Sequence, residues 1–122
     1  MEAFIIQFND LLICTLYKSP SQTNTQTFKT ELKDFLTPYI NRNYQFILLG
    51  DFNINLPEDK TISNFINNDF SLYNALPNNS VTTNKRTFID WCFTCENLNV
   101  KASVYKSYYS YHKPISVVKK NN

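Results

Sequence analysis

The apolar run Phe46-Ile47-Leu48-Leu49 ends in the only glycine of the chain, Gly50, and an acid and an amide follow at Asp51 and Asn53. Apolar residues in succession, bounded by a turn signal, describe a buried strand, here over residues 44–49. Glycine at its end lets the backbone bend tightly or approach a neighbour closely. Period-two alternation points Asp51 and Asn53 the same way and returns Phe52 to the core. In an open α/β sheet, ligands bind beyond the carboxyl ends of the strands. A carboxylate and a carboxamide at such a strand mouth can hold a water, a metal or a phosphate. Asp and Asn are also ordinary turn residues, so an Asx-rich loop is the competing reading.

The 122 residues around this strand make one domain, long enough to bury a core. An apolar fraction of 43% with 16% aromatics excludes a disordered chain. The net charge of +2 permits nucleic acid as a partner without indicating it. Three cysteines, Cys14, Cys92 and Cys95, without a secretory leader indicate a reducing, intracellular setting, nuclear or cytoplasmic rather than secreted. No stretch approaches the roughly 20 apolar residues that cross a bilayer.

Along the chain, residues 3–8 and 11–17 are β-prone runs separated by Asn9-Asp10, a hairpin signal. The second run is apolar at nearly every position, which places it inside a sheet. Phe28, Leu32, Phe35, Leu36 and Ile40 mark one helical face within 23–43, with Pro38 predicted to kink or end the helix near Leu36. Ile62, Phe65 and Ile66 predict a short amphipathic helix with Asp59 and Thr61 as capping residues. Residues 71–76 read as a short strand or turn. A further strand is predicted over 86–94, with Phe88 and Asp90 on one face and Ile89, Trp91 and Phe93 on the other. Residues 98–105 and 108–118 close the chain as β-prone segments. The expected organisation is one domain over 1–118 and a disordered tail at 119–122.

Asp90 is a carboxylate among bulky apolar neighbours, costly to bury without a partner. Pairing it with His112, the only histidine, would satisfy both groups, raise the imidazole's basicity and fix its tautomer. Such a pair can act as a general base or stabilise developing charge. A surface histidine in an aromatic-rich strand is the alternative. Cys92 and Cys95 have the short spacing of zinc or redox sites, but no second such pair exists, and in a strand they face opposite sides. Buried structural cysteines are the stronger reading. Tyr105, Tyr108, Tyr109 and Tyr111 interleave with Lys106, a composition that can stack nucleobases. Tyrosine is also a good strand former, and the structural account is preferred.

In this order the residues resemble the endonuclease/exonuclease/phosphatase family, especially the endonucleases of non-LTR retrotransposons. Tyr17-Lys18-Ser19-Pro20 resembles the family's tyrosine-containing strand end. Gly50-Asp51-Phe52-Asn53 is identical to its most specific motif. Thr87-Phe88-Ile89-Asp90-Trp91 resembles its threonine–isoleucine–aspartate strand, and Ser110-Tyr111-His112-Lys113-Pro114-Ile115 its terminal serine–aspartate–histidine motif. The resemblance implies part of a four-layer α/β-sandwich, the DNase I-like fold, without its amino-terminal half. It implies a metal-dependent phosphodiester hydrolase of the mobile-element DNA endonuclease type. In it, Asp51 handles the attacking water and holds the metal, Asn53 holds a phosphate oxygen, Asp90 bonds His112, and His112 and Tyr17 contact the phosphate. Asn53, Thr87 and Ser110 are the implied substrate-binding residues, Mg²⁺ or Mn²⁺ the implied ion, and nucleic acid, DNA before RNA, the implied partner.

Two departures bear on activity. The family's metal-binding glutamate and an early asparagine have no counterpart, and Tyr111 stands where the family places an aspartate; a phenol is a poor Mg²⁺ ligand beside a carboxylate. Weak or absent activity in the isolated chain follows, with a non-catalytic nucleic-acid- or protein-binding remnant as the alternative. A single sheet without its facing layer also predicts self-association or docking onto another polypeptide.

Overall fold

Alternation along β2 (Leu11–Tyr17) sorts the sheet into two faces. Leu12, Cys14 and Leu16 are buried, whereas Leu11, Ile13, Thr15 and Tyr17 are less covered. In the computed structural model, which describes residues 1–40, 42, 44–107 and 110–120, β2 pairs antiparallel with β1 (Glu2–Phe8) through the hairpin at Asn9-Asp10. It pairs parallel with β3 (Gln45–Asp51). The helix α1 (Thr25–Ile40) makes the crossover that a parallel pair requires. A second helix, α2 (Thr61–Phe70), and a short strand, β4 (Leu72–Asn74), follow. Then β5 (Asp90–Cys95) pairs antiparallel with both β3 and β4, giving the order β1-β2-β3-β5-β4. The chain ends in a separate two-stranded ribbon, β6 (Val100–Val104) and β7 (Ile115–Lys119).

Cross-strand partners share a face, so Leu16, Gly50 and Trp91 form one row, and Cys14, Leu48 and Phe93 the next. Trp91 stacks on Phe52 with ring centroids 4.3 Å apart, and Phe52 meets Phe28 of α1 edge-on. The helices therefore cover this face, with Phe28, Leu32, Leu36, Ile62 and Ile66 buried against it. Asn24 starts α1 as a side-chain cap, its Oδ1 accepting the Thr27 N–H at 3.0 Å. Asp59 accepts the Thr61 N–H in the turn entering α2.

The other face divides in two. Over β3 and β5, Ile47, Cys92 and Thr94 are buried although they point away from the helices. The ribbon lies on this side, with Ala102 buried and Val104, Ile115 and Val117 packed on the core. Over β1 the cover ends: Phe4, Ile6 and Phe8 are 59%, 54% and 69% exposed.

Four expectations are corrected. Helix α1 does not stop near Leu36 but runs through Pro38 to Ile40. The proline withholds a hydrogen bond only from Asp34, an exposed residue whose carbonyl can turn to water. Strand β5 begins at Asp90 rather than at 86. The N–H groups of Phe88 and Ile89 donate instead to Asn55 Oδ1 and Thr82 Oγ1, which removes residues 87–89 from the ladder and ends the face assignment of Phe88 and Ile89. Residues 110–114 make no strand beyond a bridge from His112 to Thr83, and 108–109 lie outside the described residues. Lys119 pairs with Val100, and the Lys120 N–H donates to Asn99, so these two belong to the ribbon rather than to a tail; 121–122 lie outside the described residues.

Cys92 and Cys95 face opposite sides of β5, as alternation requires. Burial pushes the Cys92 thiol up to about 12, and Cys95 Sγ accepts the Phe46 N–H. Neither joins a metal cluster among the described residues. No described helix is long and apolar enough to cross a membrane.

Candidate active site

The last row of the sheet runs Glu2, Tyr17, Asp51, Asp90 on the face away from the helices. Strand register alone thus brings two acids, 39 positions apart in the chain, side by side. His112 reaches them from the segment between β6 and β7. Its Nδ1 lies 2.7 Å from Asp90 Oδ2 and its Nε2 3.7 Å from Asp51 Oδ2. The first is a charge-assisted hydrogen bond; the second is too long for one, so Nε2 has no hydrogen-bond partner among the described residues.

The surroundings fix this arrangement. Thr82 and Thr83 are fully buried in the segment beneath the histidine. Thr82 Oγ1 accepts the N–H groups of both Ile89 and Asp90, and Thr82 O accepts the Lys113 N–H. Thr83 bridges His112, and Asn84 donates to the carbonyls of Tyr111 and Ser110. One buried dipeptide thereby anchors Asp90 and the His112 segment together. Sequence reading missed Thr82 to Asn84. Their only signal is two threonines before an Asn-Lys turn, and hydroxyls that accept distant N–H groups have no periodicity.

Burial pushes the Asp90 carboxyl above the usual carboxylate range, against the hydrogen bond from His112, which opposes the rise. The hydrogen bond to Asp90 raises the His112 imidazole; partial burial opposes this, and the charges of Asp90 and Asp51 add to it. The site therefore favours a protonated imidazole between two acids.

The remaining expected residues are placed less directly. Tyr17 lies in the row beside Asp51 and is 43% exposed. Asn53 does not alternate with Asp51 along a strand. Its backbone is left-handed (φ 48°), its N–H donates to Asp51 Oδ1 at 2.9 Å, and its amide donates to Lys18 O at 2.6 Å. This Asx turn orients Asp51, so the turn chemistry and the site coexist. Thr87 Oγ1 bonds Thr83 Oγ1 at 2.7 Å, and Ser110 Oγ accepts the His112 N–H; both brace the histidine segment. Tyr111 is 42% exposed and meets the His112 ring edge-on.

Asp51, Asp90 and His112 offer ligand atoms within 4.8 Å of one another, a group that could hold a metal ion. The chemistry of the donors divides it. Asp90 and the imidazole are committed to each other, which leaves Asp51 Oδ2 as the open hard donor. Mg²⁺ is commonly held by one or two carboxylates with waters and substrate phosphate oxygens. The residues fit a cation held in that way, with Asp51 as its protein ligand.

No protein-family model matches the chain, and no curated protein matches its sequence. Solved structures do share its fold. An endonuclease/exonuclease/phosphatase family protein from Leptotrichia buccalis superimposes with a TM-score of 0.70 at 17% identity, over 98% of this chain and 53% of its own. The Haemophilus ducreyi cytolethal distending toxin gives 0.66 at 17% identity, over 98% and 58%. The human Nocturnin catalytic domain, solved with a bound sulfate anion, gives 0.58 at 18% identity, over 95% and 52%. The chain has the endonuclease/exonuclease/phosphatase, DNase I-like fold and spans between half and three fifths of the length of these structures.

Proposed function

We propose that the chain is part of a metal-dependent phosphodiester hydrolase domain, of the mobile-element DNA endonuclease type, with low activity on its own. The observation that carries this reading is the meeting of Asp51, Asp90 and His112 at the end of one sheet row. An imidazolium held at Nδ1 by Asp90 leaves its Nε2–H, 3.7 Å from Asp51 Oδ2, without a hydrogen bond, and it can donate to a phosphoryl oxygen as negative charge builds. Asp51, oriented by the Asn53 N–H, is placed to accept a proton from a water attacking that phosphorus. Tyr17 flanks the same pocket of charge. A divalent ion, Mg²⁺ or Mn²⁺, on Asp51 would neutralise the phosphate. The anion bound to Nocturnin, a protein of the same fold, supports a phosphate ligand. The free cysteines suit the intracellular setting of this reading.

The expected result is slow conversion of supercoiled DNA to nicked circles in Mg²⁺, abolished by EDTA and by Asp51→Ala. If no phosphodiester or phosphomonoester is cleaved at high protein concentration, the catalytic reading is wrong. The second reading, a binding remnant, is favoured by the phenol of Tyr111 and the single open carboxylate. Tyr111→Asp separates the two: it raises cleavage if the catalytic apparatus is otherwise intact and changes nothing in a remnant.

The bare strip over β1 supports self-association. Phe4, Ile6 and Phe8 line an edge strand with unpaired backbone groups, a surface on which a second copy can pair or stack. Sedimentation velocity should show species above 14.3 kDa, and Phe4→Lys with Ile6→Glu should return the monomer. A wild-type chain sedimenting as a monomer at all concentrations would remove this part.

A further inference from the structure

Where the chain leaves β2, alternation turns Lys18 to the opposite side of the sheet from Tyr17. Its Nζ stands 5.7 Å from the centroid of the Phe28 ring of α1, on the face that the helices cover. Only 7% of the residue is exposed. Lysine is almost never buried this deeply unless it is paired. Among the described residues, however, Lys18 makes no ion pair and its ammonium donates no hydrogen bond. The ring face beneath it is a partial partner at best. Lys18 and Phe28 together line a cavity of about 200 Å³, with Thr23, Thr25, Asn53 and Asp59 also in its wall.

The position of this cavity follows from the topology. Strands β2 and β3 are parallel and end side by side at Tyr17 and Asp51. The crevice beyond the carboxyl ends of such strands is where α/β sheets bind ligands. Helix α1 starts at the same end. Asn24 accepts the Thr27 N–H on its side chain and the Phe28 N–H on its carbonyl, which leaves the Thr25 N–H an orphan donor at the helix start. No acid occupies that first turn, so the positive end of a helix of 16 residues is not neutralised by its own sequence. Asp59 is the one acid in the wall among the described residues. Hydrogen bonds from the Thr61 backbone and side chain hold its carboxyl below the usual carboxylate range. An unpaired ammonium beside an orphan helix N–H suits an oxyanion, and a carboxylate next to them disfavours one that carries no proton. Phosphate answers both: its charged oxygens accept from Lys18 and Thr25, and its P–OH donates to Asp59. Sulfate has the same shape and no proton to give at neutral pH. The volume is below the roughly 300–1,000 Å³ of small-molecule sites and suits one tetrahedral ion.

We infer that the cavity bounded by Lys18, Thr25 and Asp59 binds inorganic phosphate, on the other side of the sheet from the Asp51–Asp90–His112 row. The inference stands without the hydrolase reading, in which none of these three side chains has a part.

The test is thermal unfolding of the His112→Ala chain in EDTA near neutral pH, titrated with sodium phosphate or sodium sulfate at matched ionic strength. The alanine and the chelator remove the phosphate contacts proposed at the catalytic row. Both salts stabilise folded proteins by exclusion from their surface, so the sulfate series measures that background. Phosphate should raise the unfolding midpoint further, along the saturable curve of a ligand that binds the folded state. Adding Lys18→Met should weaken the apparent affinity about tenfold or more, as expected for a lost hydrogen bond from a charged group. Lys18→Gln should do the same and serves where the methionine variant does not fold. Asp59→Asn keeps an oxygen for the Thr61 N–H and should bring the sulfate curve up to the phosphate curve. Absence of a saturable excess over sulfate overturns the inference, as does an equal excess in the Lys18 variants. A stronger Lys18-dependent rise with glycerol 3-phosphate would overturn the assignment to the free ion. A phosphate response present only with His112 intact belongs to the catalytic row, and refutes this site while leaving the hydrolase reading in place.

Discussion

Replacing His112 by alanine is expected to lower Mg²⁺-dependent cleavage by about a thousandfold, the loss typical of removing one well-placed donor to a developing oxyanion. The figure follows from the Nε2–H, which Asp51 Oδ2, 3.7 Å away, does not satisfy. Asp90→Asn should be milder and should change the pH profile. The Asp90 hydrogen bond is the largest cause raising the imidazole, so its loss returns His112 toward the ordinary value of about 6.5. Because the protonated ring is the active form, cleavage declines as pH rises through the imidazole pKa. That descending limb should move to lower pH in Asp90→Asn and disappear from the residual activity of His112→Ala. Wild-type cleavage by His112→Ala, or an unmoved limb in Asp90→Asn, would remove histidine from the reaction.

The same shift has a consequence for stability. A histidine that binds its proton more tightly in the fold stabilises it fully below the unfolded imidazole pKa. That contribution is lost as pH rises through the higher, folded value. The unfolding midpoint should therefore decline from about pH 6.5 upward, and the decline should vanish in His112→Ala. With 42% of the His112 side chain exposed, solvent screening keeps the effect small. Asp90, raised by burial, acts with the same sign at more acidic pH.

What could be read from the chain alone was whatever depended on local pattern. The alternation of Leu12, Cys14 and Leu16 and the hairpin at Asn9-Asp10 need only near neighbours, and both are present. The Asp90–His112 pair was readable because a carboxylate among Ile89 and Trp91 requires a partner and only one histidine exists. The misreadings share a cause, since each turns on a group supplied from elsewhere in the fold. Residues 87–89 look like a strand until Asn55 and Thr82 take their N–H groups. Asn53 looks like an alternating strand residue until the Lys18 carbonyl captures its amide. Pro38 looks like a helix end until one sees that the carbonyl it leaves unbonded belongs to an exposed residue.

Gly50→Ala should be the most damaging conservative change outside the polar cluster. A Cβ built on Gly50 would lie 1.9 Å from Leu16 O, with Leu16 C and N within 2.9 Å. No side chain can rotate away to relieve this, because the obstacle is the backbone of β2. Overpacking of a core commonly costs about 1–3 kcal/mol, and a rigid obstacle places this substitution at or above the top of that range. A domain of this size holds about 5–15 kcal/mol in all, so the urea midpoint should fall steeply. The damage also has a direction. Leu16 pairs with Gly50 and Tyr17 with Asp51, so separating the two strands draws Tyr17 away from Asp51. Cleavage should then fall even under conditions where Gly50→Ala remains folded. An alanine variant within about 0.5 kcal/mol of wild type, the spread of ordinary surface substitutions, would mean that β2 and β3 do not approach as closely as the register at Leu16 and Gly50 requires.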